Sequence, residues 1–118
     1  PGKLEIIQKI HLKNDDVAAL NQGEAEVVFA YSEENRQVIF DILNFYEMLS
    51  AAIINRHLDE ETMRQIAGYR IFTAYKKLSP FIVICQRYND GDNRPYQHYE
   101  ELYTEWKRYY SGREDPAR

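Results

Sequence analysis

Glu47 is the residue whose type and setting most invite chemistry. It lies in "DILNFYEMLSAAIINRHLDEE", Asp41 to Glu61, flanked by Phe45, Tyr46, Met48 and Leu49 and followed by Ala51, Ala52, Ile53 and Ile54. On a helix its neighbours one turn away are Leu43, Asn44, Ser50 and Ala51. A packed carboxylate there must reach solvent, take up a proton or find a cation, because desolvating it unpaired costs several kcal/mol. Two arginines interrupt apolar faces elsewhere. Arg87 follows "FIVICQ", and Arg70 stands between Met63–Ala67 and Ile71–Ala74. A guanidinium offers two parallel N–H donors to the two carboxylate oxygens. The sequence therefore predicts a structural Glu–Arg pair, with Asn44 or tyrosine hydroxyls completing the hydrogen bonds. Either arginine fits. Catalysis by Glu47 is the alternative, and it requires a solvent-open pocket.

Other chemistries find less support. Di-metal helical bundles use Glu-x-x-His pairs. Here the order is reversed, as His57-Leu-Asp-Glu60 and His98-Tyr-Glu-Glu101, and the first spans an expected helix break. No metal or cofactor is expected. His11 reads as a surface or half-buried side chain. The chain has no Gly-x-Ser-x-Gly elbow. Cys85, within "FIVICQR", reads as a small buried hydrophobe. "DGD" at Asp90–Asp92 would repel phosphate rather than cradle it.

Tyr96, Tyr99, Tyr103, Trp106 and Tyr110 recur at steps of three and four and form the most specific pattern in the chain. Stacking on single-stranded nucleic acid needs aromatics interleaved with cations. Here Glu100, Glu101 and Glu105 accompany them, while Arg94, Lys107 and Arg108 lie at the ends, so nucleic acid is not an expected partner. The stripe either packs in the core or presents a protein interface, for which Tyr and Trp are suited.

These residues need helices to position them. Val38, Ile42, Phe45, Leu49 and Ala52 alternate steps of four and three, predicting a central helix over about 35–57. Asp59 is placed to cap the next helix, with Glu60 and Glu61 in its first turn. Ser79-Pro80 predicts a fresh helix start, or a kink. "NDGDNRP" is a loop, and a last helix runs from Pro95 to about Tyr110. Among the first 34 residues, Leu4, Ile7 and Ile10 suit a short helix, and Asp15 or Asp16 can cap a second. Gly23 then separates that helix from "EAEVVFAYS", which reads as helix before strand. The tail from about 111 is expected to fray.

With 118 residues, 44% hydrophobic and 29% charged, the chain suits a single domain, 1–118. A net charge of −4 gives no attraction for phosphate backbones or anionic membranes. The single cysteine excludes an intrachain disulfide framework and suggests a reducing, cytoplasmic setting. No stretch reads as long and apolar enough to span a bilayer. The chain opens "PGKLEII" without methionine, so an upstream segment is left open.

"ILNFYEMLSAAIINRHLDEE", "YKKLSPFIVICQR" and "YQHYEELYTEW" resemble an uncharacterised bacterial and phage helical family. It is marked by Leu-Asn-x-x-Glu, an Asp-Glu helix start, and a Pro-Phe-Ile segment ending in arginine. The likeness spans about Val38 to Trp106, roughly three fifths of the chain. It implies that Asn44, Glu47 and Arg87 are the characteristic polar positions, favouring Arg87 over Arg70 as partner of Glu47. It also implies a membrane helix ahead of this domain in many members, and so a site at the inner face of a membrane in a full-length protein. It carries over no catalytic residue.

The expectation is thus an all-α bundle of four to six helices around the 35–57 helix. Its expected role is a non-enzymatic interaction or regulatory domain, using the tyrosine-rich helix or the first helix to bind a protein partner or a second copy of itself. An acidic phage or mobile-element inhibitor of a host protein is the alternative, and an enzyme centred on Glu47 the lesser one.

Overall fold

The structure, a computed structural model, describes residues 19–87 and 94–111. The expected short helix at Leu4–Ile10, the caps at Asp15 or Asp16, most of the "NDGDNRP" loop and the tail beyond 111 lie outside them. The described residues are all-α, with no strand among them.

Helix α1, Gln22–Tyr31, starts on a reciprocal cap. The Asn21 side chain accepts from the Glu24 N–H at 2.8 Å, and Glu24 accepts from the Asn21 N–H at 3.1 Å, satisfying two orphan donors together. Gly23 therefore sits in the first turn rather than separating two elements. Ala25 and Val28 face the core.

Ser32 both ends α1 and begins α2, Glu33–Ile54. Its hydroxyl accepts from the Asn35 N–H, and Glu33 and Glu34 follow in the first turn, where the helix dipole favours acids. α2 ends three residues earlier than its periodicity suggests. Arg56 turns left-handed at φ 63, and the N–H groups of Arg56 and His57 bond back to the carbonyls of Ile53 and Ala52. This termination usually carries glycine, since a Cβ costs about 1–2 kcal/mol there.

Asp59 caps the short helix α3, Glu60–Met63, accepting from the Thr62 N–H and hydroxyl. A π-helical turn, Arg64–Gly68, leads into α4, Tyr69–Arg87. α4 runs through Pro80 as one helix, so the expected fresh start does not occur there. Proline removes one N–H, and the buried Leu78, Phe81 and Ile82 around it hold the helix by packing. The Pro80 carbonyl accepts from Gln22 Nε2 at 2.9 Å, tying α4 to α1. Helix α5, Gln97–Ser111, completes the fold and packs most extensively on α2.

The core is one continuous cluster. Ile39, Leu43, Tyr46 and Ile53 of α2 meet Tyr99, Leu102 and Trp106 of α5 and Ile71, Leu78, Phe81 and Ile82 of α4. By length and composition α2 does reach the threshold for a membrane span, with mean hydropathy 1.4 and a third of that window buried. The sequence reading that no stretch does so is corrected. The core helix of a globular domain meets the same threshold, and α2 has such a role here.

Candidate functional site

Helix α5 begins without a cap of its own. The Tyr96 carbonyl accepts the first helical bond, from the Glu100 N–H, which makes Tyr96 the capping position. Tyr96 has φ 63 and a phenol that cannot fold back onto the helix start. The second and third helical N–H groups would be orphaned. Glu47 takes them. Its Oε1 accepts from the Tyr99 N–H at 2.9 Å and its Oε2 from the His98 N–H at 3.3 Å. Oε2 also lies 2.6 Å from His98 Nδ1. A carboxylate oxygen accepts in this contact, so Nδ1 carries its proton, on a half-exposed ring. Three donors and the positive end of a helix dipole thus converge on one carboxylate. Glu47 is a cap supplied from a different helix.

The expected Glu47–Arg87 pair does not form. Arg87 reaches Glu26 of α1 at 3.4 Å, with both side chains about half exposed. The backbone amides of α5 meet the requirement for a positive partner without an arginine. Arg70 is exposed, and its backbone carbonyl accepts from the Thr73 hydroxyl. Asn44 does join the junction, accepting from the Tyr96 hydroxyl at 3.2 Å. Burial, with Cys85 and Glu47 nearby, pushes that phenol up to about 12. Burial also raises the Cys85 thiol above its ordinary range, although its hydrogen bond with Tyr96 opposes this. A thiol held protonated is a poor nucleophile.

The aromatic stripe is mostly core, so the interface reading of Tyr96, Tyr99 and Trp106 is corrected. Tyr96 is 8% exposed, and Tyr99 and Trp106 are 1% exposed. Tyr99 stacks on Tyr46 at 5.1 Å and donates its hydroxyl to the Ile71 carbonyl at 2.8 Å. Burial, then Tyr46 and Tyr75, raise its phenol far above the usual range. Tyr103 lies between Phe72 and Tyr75, stacked on each, and Tyr110 packs on Phe72. Tyr103 and Tyr110 are half-buried. The ring faces are spent joining α5 to α2 and α4.

At the opposite end of α5, Trp106 Nε1 donates to Glu60 Oε2 at 2.9 Å, and Arg64 pairs with the same oxygen at 2.8 Å. The Arg64 guanidinium also lies 4.3 Å above the Tyr109 ring, a cation–π contact. Glu60 and Arg64 border an open cleft of about 460 Å³ lined also by Arg56, Leu58 and Glu61. His57 is exposed beside it. Among the described residues no three His, Cys, Asp or Glu side chains come together as a metal-ligand set.

The surface that the sequence reading passed over is the outer face of α2. Phe45 is 52% exposed and Met48 67%. Val38, Asp41, Ile42, Phe45 and Tyr46 line a cleft of about 360 Å³ there. Its signal was present: the apolar stripe of α2 is wider than one packing face needs.

The family described as Domain of unknown function (DUF4760) matches residues 4–106, and the chain belongs to it. No curated protein and no solved structure matches the chain.

Proposed function

We propose that this chain is a non-enzymatic interaction domain whose contact surface is the outer face of α2. One observation carries the reading. The group best placed for chemistry, Glu47, is occupied by the start of α5, while Phe45 and Met48 on the same helix stand open to solvent. Large exposed apolar side chains grouped on one helix mark recognition surfaces more than they serve a lone fold.

A photo-cross-linking residue placed at Phe45 in the full-length protein, in its native cell, tests this. The expected result is an adduct to one defined protein from position 45 and none from Lys107, an exposed site on α5. Absence of adducts at 45 and at Met48 would remove the reading.

The carboxylate-oriented imidazole of His98 supports a second reading, in which Nε2 acts as a general base. It requires His98→Gln to abolish an activity while leaving thermal stability nearly unchanged. Capping predicts that Glu47 substitutions act through stability instead.

A further inference from the structure

We infer that the outer face of α2 receives a basic amphipathic helix from a protein partner, with apolar anchors at helical spacing and two lysines or arginines seven residues apart. The inference rests on the proposed interaction role and adds the chemistry of the partner. Val38, Phe45 and Met48, at steps of seven and three, share one face of α2, the anchor spacing that helix-mediated recognition uses. From Glu34 to Ala52 it extends roughly 27 Å at 1.5 Å per residue, room for about five turns of a partner.

The charge on this face is of one sign. Glu34 and Asp41, two turns apart, both lie on the exposed side of α2. Asp41 accepts from Gln37 Nε2 at 3.2 Å, and among the described residues no ion pair engages either acid. Arg36, the only cation within α2, turns to the α1 side, where it donates to the Phe29 carbonyl and lies over the Phe29 ring. The cleft beside Phe45 therefore has apolar walls and one carboxylate, Asp41, at its edge. An apolar anchor flanked by a cation matches it. A second copy offering this same face would bring carboxylates without cations, so charge disfavours a face-to-face homodimer.

The test titrates the isotope-labelled full chain with an 18-residue leucine–lysine amphipathic helix and with its leucine–glutamate counterpart. The lysine peptide is expected to bind at least tenfold more tightly, shifting the amides of Val38, Phe45 and Met48. Glu34→Lys with Asp41→Lys is expected to reverse the preference. Both positions are exposed, so the fold survives the exchange, as an unchanged circular dichroism spectrum would verify. Equal binding of the two peptides, or failure of both, overturns the inference. Shifts confined to the cleft at Arg56 and Glu61 overturn it while leaving an interaction role standing. A dimer in sedimentation that Phe45→Glu dissolves makes a second copy the occupant, and an adduct from position 45 to residues 1–18 makes it the chain's own segment. Either overturns it too. The general reading fails separately, by the missing cross-links.

Discussion

Replacing Glu47 by alanine removes a carboxylate that accepts from two backbone N–H groups and an imidazole. Three full charge-assisted bonds would sum to about 5–9 kcal/mol. That sum is too large, because the Glu47 side chain is 24% exposed and water can refill part of the site. The loss of a cap, about 0.5–2 kcal/mol, plus a favourable dipole contact of about 0.3–1 kcal/mol, is the better guide. We expect a loss of about 2 kcal/mol, which lowers the melting temperature by roughly 6–10 °C in a domain of this size. Glu47→Gln keeps one carbonyl acceptor and should lose about half as much. Denaturant unfolding of single and double variants then separates the partners. Glu47→Gln with Arg87→Met should be additive within about 0.5 kcal/mol, because Arg87 sits in an exposed pair with Glu26. Glu47→Gln with His98→Ala should couple by about 1 kcal/mol. A neutral Glu47→Ala, or strong coupling to Arg87, refutes the capping geometry.

Gly68 leaves no room for a side chain, since an added Cβ would run into the Tyr110 hydroxyl. Tyr110 is held among Phe72, Trp106 and Tyr109, so Gly68→Ala should cost about 1–3 kcal/mol in denaturant unfolding. Arg56→Gly relieves the left-handed residue that ends α2 and should stabilise by about 0.5–1 kcal/mol, net of the added freedom of the unfolded chain. The phenols of Tyr75 and Tyr96 are raised to about 12, chiefly by burial. Their protonated forms favour the folded state, so this stability is complete below about pH 10 and falls as pH rises towards 12. Ultraviolet absorbance should show these tyrosines ionising together with unfolding, not before it. Asp59 is held below the usual carboxylate range, first by the Thr62 hydroxyl and then by its N–H. Asp59→Ala should therefore speed amide exchange at Thr62 near pH 7, and the difference should fade as pH falls below about 4.

Much of this fold can be read from residue spacing. The steps of four and three from Val38 to Ala52 locate α2, and those from Tyr96 to Tyr110 locate α5. Asp59 marks a cap because a short acceptor precedes the acids of a first turn. The partner of Glu47 is harder to read, since backbone amides belong to every residue type and leave no mark in a sequence. An indirect sign exists. Arg94-Pro95-Tyr96-Gln97 has no Ser, Thr, Asp or Asn at the helix start, and an uncapped helix in a chain with a lone glutamate amid an apolar run implies that the two meet. Pro80 was misleading for a different reason: local propensity favours a break, and the packing of Phe81 and Ile82 outweighs it. Burial of the tyrosine stripe follows from its partners on α2 and α4, which its own periodicity does not specify.

Amide hydrogen exchange at His98 and Tyr99 tests most directly whether Glu47 caps α5. An uncapped helix leaves its second and third N–H groups open to exchange. Slow exchange at both positions in the native chain, lost at those two amides in Glu47→Ala while the interior of α5 stays protected, is the predicted result. Rapid exchange at both in the native chain, or protection that survives the substitution, would contradict it.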